Sequence, residues 1–261
     1  MSKTTEIKKI TEMPTTPEIV TCEKHGDYEA KYSPKFNGRI WVNTSCNECI
    51  ADADAKTKLD AENKRVADDI EFEIKMKEKR RVNAGISKRN RYKTFNDYIC
   101  TNEGQTKAKN DCVRYFENFP SDKSMIMVGG VGTGKTLLAS AGVESIIDKH
   151  KCEIIKTIDV VRELKASWSR DNENTEEGLI KYFVGLDLLV LDEVGSQFGS
   201  DTEKLFIFDI IDGRYQDMKP TILISNLDIG GIKECIGERC VDRLREGGGM
   251  MIAFNWESQR G

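Results

Sequence analysis

The sequence predicts an α/β chain. A parallel sheet should carry helices on both faces, preceded by a small cysteine- and histidine-bearing unit and a long charged helix. Three observations carry this. Apolar runs alternate with helical patterns through the second half, as in βαβ chains. An uninterrupted tract dense in Ala, Lys, Glu, Asp and Arg runs from Ala51 to about Val82, a composition that favours an exposed helix. Cys22, His25, Cys46 and Cys49 gather near the front.

The 261 residues leave room for one large domain and a small appendage. Charged residues are 32% and hydrophobic residues 38%, which suits a soluble protein with a real core. The net charge of −4 argues against a globally basic nucleic-acid binder and leaves local basic patches open. No apolar run approaches the roughly 18 residues that span a bilayer, so no membrane partner is expected. The opening Met-Ser-Lys-Thr-Thr-Glu lacks the apolar centre of an export signal. The chain divides into residues 1–50, 51–99 and 100–261.

Residues 1–20 are polar, with Pro14 and Pro17, and form a loose leader to the first unit. Cys22-x2-His25 and Cys46-x2-Cys49 are two short knuckles. Gly26 and Gly38 with Tyr28, Tyr32, Phe36 and Trp41 lie between them, and the whole reads as a zinc ribbon. Four N/S ligands with none to spare make a closed, structural zinc site, and the metal replaces a core too small to fold alone. His150 is expected at a solvated helix end. Cys100, Cys112, Cys152, Cys235 and Cys240 show no ligand pairing and read as packing residues.

The charged helix carries a thin apolar stripe, Leu59, Val66, Ile70, Ile74 and Met76. It suits contact with one partner helix; the alternative is a solvated spacer. Residues 83–99 read as a hinge. Gly85 breaks the helix, and Lys88, Arg89, Arg91 and Lys93 cluster with Tyr92 and Phe95. A helical pattern from Gly104 to Phe119 leads into the first strand.

That strand, Met125 to Val128, ends in Gly129, Gly130, Val131, Gly132, Thr133, Gly134, Lys135 and Thr136. This is the G-x-x-x-x-G-K-T phosphate loop in its required context, between a strand and a helix. The glycines let backbone N–H groups curl around phosphate, and the next helix aims its positive end at the anion. Lys135 reaches the β- and γ-phosphates of ATP, and Thr136 holds Mg²⁺. A phosphate loop without an export signal places the protein in the cytoplasm, where its eight cysteines are thiols or metal ligands.

Further strands are expected near Glu153–Ile158, Leu186–Leu191, Thr221–Ser225 and Met250–Phe254, and helices near 136–149, 159–168, 175–184, 202–217 and 230–245. Leu188-Leu-Val-Leu ends in Asp192 and Glu193. Asp192 would hold Mg²⁺ through water, and Glu193 would polarise the water that attacks the γ-phosphate. Thr221-Ile-Leu-Ile-Ser ends in Asn226, which either orients that water or caps a turn. Arg239, Arg243 and Arg245 lie on one short helix before Gly247. They either reach a neighbouring subunit's γ-phosphate or form a solvated face with Glu238 and Asp242.

From about Gly85 to Arg260 the sequence resembles the replicative helicase loaders of the DnaC type, in the AAA+ class of P-loop NTPases. The matching stretches are Gly129–Thr136, Asp187–Gly195, Leu223-Ile-Ser-Asn226, Gly237-Glu-Arg-Cys-Val-Asp-Arg-Leu-Arg245 and Phe254-Asn-Trp-Glu-Ser-Gln-Arg260. The resemblance implies an AAA+/RecA-like sheet and ATP hydrolysis that times release of a hexameric helicase loaded on single-stranded DNA. It also implies self-association in a spiral, up to six copies on the helicase. It gives Arg243 the role of arginine finger and Arg260 that of a nucleotide-contacting sensor. Trp168 falls near the family's DNA-facing aromatic, or is a partly buried amphipathic residue. The front unit would grip the helicase or, alternatively, nucleic acid. A transposition helper of the IstB type, acting on duplex DNA, and a non-enzymatic nucleotide switch are the rival readings.

Overall fold

The computed structural model describes residue 16 and residues 18–35, 40–43, 46–169, 174–195 and 200–259. The chain divides into two compact units, Met1–Glu73 and Ile74–Gly261.

The first unit contains two antiparallel strand pairs. β1 (Ile19–Cys22) pairs with β2 (Gly26–Glu29), and β3 (Tyr32–Lys35) with β4 (Ile40–Asn43). Gly26 turns between β1 and β2 at φ 82°, a conformation that glycine adopts without penalty. The long helix α1 (Asn47–Asn83) starts beside Cys46 and extends four residues earlier than the charged tract predicted. Leu59, Val66, Ile70 and Ile74 are all exposed along it.

The second unit is built on five parallel strands in the order β6-β7-β8-β5-β9. These are β5 (Met125–Gly129), β6 (Cys152–Lys156), β7 (Leu188–Val194), β8 (Thr221–Ser225) and β9 (Met250–Phe254). Alternate residues of each strand face opposite sides of the sheet, and each side has its own core. Met125, Met127, Leu188, Val190, Ile222 and Ile224 pack with α2 (Glu103–Glu117) and α3 (Lys135–Ile146). Ile126, Leu189, Leu191 and Leu223 pack with α4 (Thr157–Ala166), α5 (Glu176–Gly185), α6 (Asp201–Gln216), α7 (Ile229–Ile236) and α8 (Glu238–Arg245).

Four expectations change. Strand β6 stops at Lys156, because Thr157 donates its hydroxyl to the Asp192 carbonyl (2.9 Å) and opens α4. The single helix expected over 230–245 is two, broken by Gly237 at φ 90°. His150 is not a solvated end: it packs edge-on against Phe119, ring centroids 4.8 Å apart. The stretch read as a hinge is built into the second unit. Ala84, Ile86 and Tyr98 are buried, and Ile154 of the sheet's edge strand donates its N–H to the Ala84 carbonyl at 2.9 Å. Gly85 lies so close that a Cβ there would meet the Ile154 carbonyl oxygen at 2.1 Å. Just before it, Arg81 makes a two-pronged ion pair with Glu144 (2.6 and 2.9 Å) and covers the Tyr92 ring at 4.4 Å.

One buried charge has no sequence signal. Arg214 is fully buried on α6. It donates to the carbonyls of Phe183 (2.7 Å), Leu186 (2.8 Å) and Pro220 (2.5 Å), and to the Thr221 hydroxyl (3.0 Å). The guanidinium thus ties the end of α5 to the starts of β7 and β8. Burial pulls its pKa down to about 10, which leaves it charged at neutral pH. Among the described residues, no helix is long and apolar enough to cross a membrane.

Candidate nucleotide site and metal centre

The second unit opens into a cleft of about 1180 Å³. Its floor is the loop from Gly129 to Lys135. Gly129, Gly132 and Gly134 sit at φ 138°, 79° and 96°, the region that excludes most side chains. A Cβ at Gly134 would also strike the Tyr98 ring at 2.3 Å. Helix α3 begins at Lys135 with no side-chain cap, so its first amides remain available to an anion.

Lys135 is buried, and its ammonium donates to the carbonyls of Gly129 (2.6 Å) and Gly130 (2.7 Å) and to Asn226 Oδ1 (3.0 Å). The residues singled out at the ends of β5 and β8 therefore meet. Thr136 donates its hydroxyl to Asp192 Oδ2 at 3.0 Å. Asp192 lies at the end of a buried strand, and desolvation raises its pKa. A hydroxyl and a carboxylate this close form the oxygen-donor set that suits Mg²⁺. Thr136 and Asp192 fit the ion that ATP carries.

Glu193 departs from a simple strand end. The register of β7 against β8 shifts between Leu191 and Val194, and Glu193 adopts φ 56°. Such a bulge re-aims a side chain. Here it turns Glu193 to the cleft, where Lys156 pairs with it at 2.9 Å. That contact raises the Lys156 pKa. Ser225 holds the bulge from the other side, donating to the Val194 carbonyl at 2.7 Å.

Arg243 lies on α8, paired with Asp212 at 3.0 Å and stacked over the Tyr215 ring at 4.3 Å. Trp168 is 58% exposed, and its indole N–H donates to Glu176. Arg260 lies outside the described residues.

Sequence reasoning passed over Lys156, Tyr98, Trp256 and Gln259, which all line or brace the cleft. Trp256 and Gln259 stand inside the stretch Phe254–Arg260 that supported the resemblance; Tyr98 was hidden in the presumed hinge.

In the first unit the donor atoms of Cys22, His25, Cys46 and Cys49 lie within 4.8 Å of one another. His25 Nδ1 is 3.8, 3.4 and 3.3 Å from the sulfurs of Cys22, Cys46 and Cys49. The Cys22 and Cys49 sulfurs are 3.5 Å apart. A tetrahedral zinc with ordinary bond lengths has edges of about 3.5–3.8 Å, so the four residues fit zinc. His25 Nε2 faces Asp52 at 3.2 Å, the carboxylate partner that fixes a ligating imidazole's tautomer. Backbone amides of Lys24 and His25 hold the Cys22 thiol down to about 6.

A family model described as IstB-like ATP binding protein matches residues 45–243. The replicative helicase loader DnaC of Buchnera aphidicola subsp. Baizongia pistaciae is 37% identical over 169 residues, 64% of this chain and 69% of the relative. DnaC of Escherichia coli strain K12 is 34% identical over 188 residues, 71% of this chain and 76% of the relative. The crystal structure of the DnaC helicase loader superposes with a TM-score of 0.57 at 26% identity, covering 64% of this chain and 99% of that one.

Proposed function

We propose that this chain, which belongs to the family of IstB-like ATP-binding proteins and shares the AAA+ fold of the DnaC loaders, loads a hexameric replicative helicase onto single-stranded DNA. ATP hydrolysis would time the release. The observation that carries the reading is the joint placement of Lys135, Thr136, Asp192, Glu193 and Asn226 around one cleft in a chain 34% identical to a DnaC loader over most of both lengths.

The geometry supports the following sequence. Lys135 exchanges the carbonyls of Gly129 and Gly130 for the β- and γ-phosphates, while the amides of Gly130 to Thr136 wrap the chain of phosphates. Thr136 and Asp192 would hold magnesium, which would supply charge neutralisation to the phosphates. Glu193 leaves Lys156, accepts a proton from water, and directs its oxygen to the γ-phosphorus as the bridging bond to the β-phosphate breaks. Asn226, already within reach of Lys135, orients that water. The family resemblance, not the geometry, gives Arg243 of a neighbouring copy the task of completing the charge stabilisation and Arg260 a contact with nucleotide in its own copy. Assembly of AAA+ domains side by side, up to six on one helicase, as the resemblance implies, would create such shared sites. Zinc held by Cys22, His25, Cys46 and Cys49 would fold the front unit that grips the helicase, in the cytoplasm.

The test is to weigh mixtures of this protein with a hexameric helicase by light scattering. A discrete complex is expected, and its absence both with and without ATP overturns the reading. Glu193→Gln should keep ATP binding and lower hydrolysis by about 10²- to 10³-fold; unchanged hydrolysis removes Glu193 from its role. The family description, IstB-like ATP binding protein, keeps one rival in view, the IstB-type transposition helper, and preference for duplex over single-stranded DNA would select it.

A further inference from the structure

The phosphate loop is held by two different sets of donors. Carbonyls of Gly129 and Gly130 are taken by groups of the loop itself, Lys135 Nζ and the Thr133 hydroxyl (2.9 Å). Carbonyls of Gly132 and Thr133 are taken from outside. The Thr133 carbonyl accepts two hydrogen bonds, from the Tyr98 hydroxyl (3.0 Å) and the Trp256 indole N–H (3.1 Å). The Gly132 carbonyl accepts the backbone N–H of Gln259 (2.9 Å).

These donors come from two segments far apart in sequence. Tyr98 follows a short 3-10 turn, Phe95–Asp97, that is fastened by a reciprocal Thr94–Asp97 cap. Trp256 and Gln259 follow the last strand, and the Gln259 side chain donates back to the Ile99 carbonyl at 3.0 Å, joining the two segments. Tyr98 is 1% exposed, and burial pushes its pKa up to about 12, so it remains a donor at any physiological pH.

A trans peptide sets its C=O and N–H in opposite directions. Fixing the Thr133 carbonyl outward therefore aims the Gly134 N–H inward, and fixing the Gly132 carbonyl does the same for the Thr133 N–H. Both residues line the cleft. We propose that Tyr98, Trp256 and Gln259 act as positioning residues that clamp the loop's carbonyls, so that the amides on the opposite side of the same peptides face the phosphates before ATP arrives. Lys135 is the contact that lets go on binding; these clamps are the ones that stay. The inference rests on the ATP-binding reading above.

The experiment uses the full chain carrying Trp256→Phe or Tyr98→Phe. Each keeps a ring in place, against Phe254 in one case and Gly134 in the other, and deletes one donor. Titration with ATP and Mg²⁺ should show Kd raised about 3- to 10-fold in each variant, the size of one hydrogen bond. The KM should rise by the same factor with kcat at saturation retained, a split that a role in folding alone would not produce. If wild type binds and hydrolyses ATP and both variants bind as tightly, the clamp is overturned and the ATPase reading stands. If wild type binds no ATP, both fall.

Discussion

The two units of this chain solve the same problem by opposite means. Among the residues of the first whose burial is described, Ala30 and Cys46 are the buried hydrophobics, and Ile19 is 74% exposed. Its order comes from four converging donor atoms and short hydrogen-bonded strand pairs. The second has a sheet whose strands β5, β7 and β8 are buried almost end to end, with a separate core on each face. Very small units bury too little surface to stand on apolar contacts alone, whereas a metal's binding energy is delivered as folding energy. With zinc on those four residues, removing the ion would undo the first region, whereas the second would yield only to disturbed packing.

The largest expected effect breaks the first region alone. Zinc should be present at one ion per chain, worth on the order of 10 kcal/mol of folding free energy to the first unit. Chelation, or Cys46→Ser, should abolish its strand signals by NMR while ATP binding by the second unit persists. Strand signals that survive metal removal would erase the distinction.

A smaller effect sharpens the second region. Arg214→Met would strip donors from the carbonyls of Phe183, Leu186 and Pro220 inside the core. Unsatisfied buried acceptors make this a loss of about 3 kcal/mol, read by urea unfolding, with zinc content unchanged. The smallest is Gly142→Ala on α3, whose added methyl would lie 1.9 Å from the Phe116 ring. Overpacking of that kind costs about 1–2 kcal/mol, read as a lowered Tm. A neutral result would mean that α2 and α3 can part without loss.

Much of this molecule was legible because its signals are local. Thr221–Ser225 and Met250–Phe254 were bounded by composition alone and are strands over those spans. Lys135 and Thr136 could be chosen because they close the G-x-x-x-x-G-K-T pattern, and Asp192 because it stands where an apolar run stops; the structure brings Thr136 and Asp192 to 3.0 Å. The bulge at Glu193 was not legible, since it depends on pairing with β8 and on the Ser225 hydroxyl. Nor was the hinge. Lys88, Arg89, Arg91 and Lys93 drew the eye to charge, while Ala84, Ile86 and Tyr98 determine where the segment lies by packing on the second unit. Gly237 was visible as a residue, but whether it stops a helix or merely passes through one turns on its φ of 90°.

The seal that Ala84 and Gly85 form along β6 has a consequence for assembly. A sheet's outermost strand is ordinarily an invitation to another molecule's backbone. Here the Ile154 amide is already engaged, and the neighbouring backbone fills the space beside its carbonyl. Another molecule's strand could therefore join the ladder at Ile154 only by displacing Ala84 and Gly85.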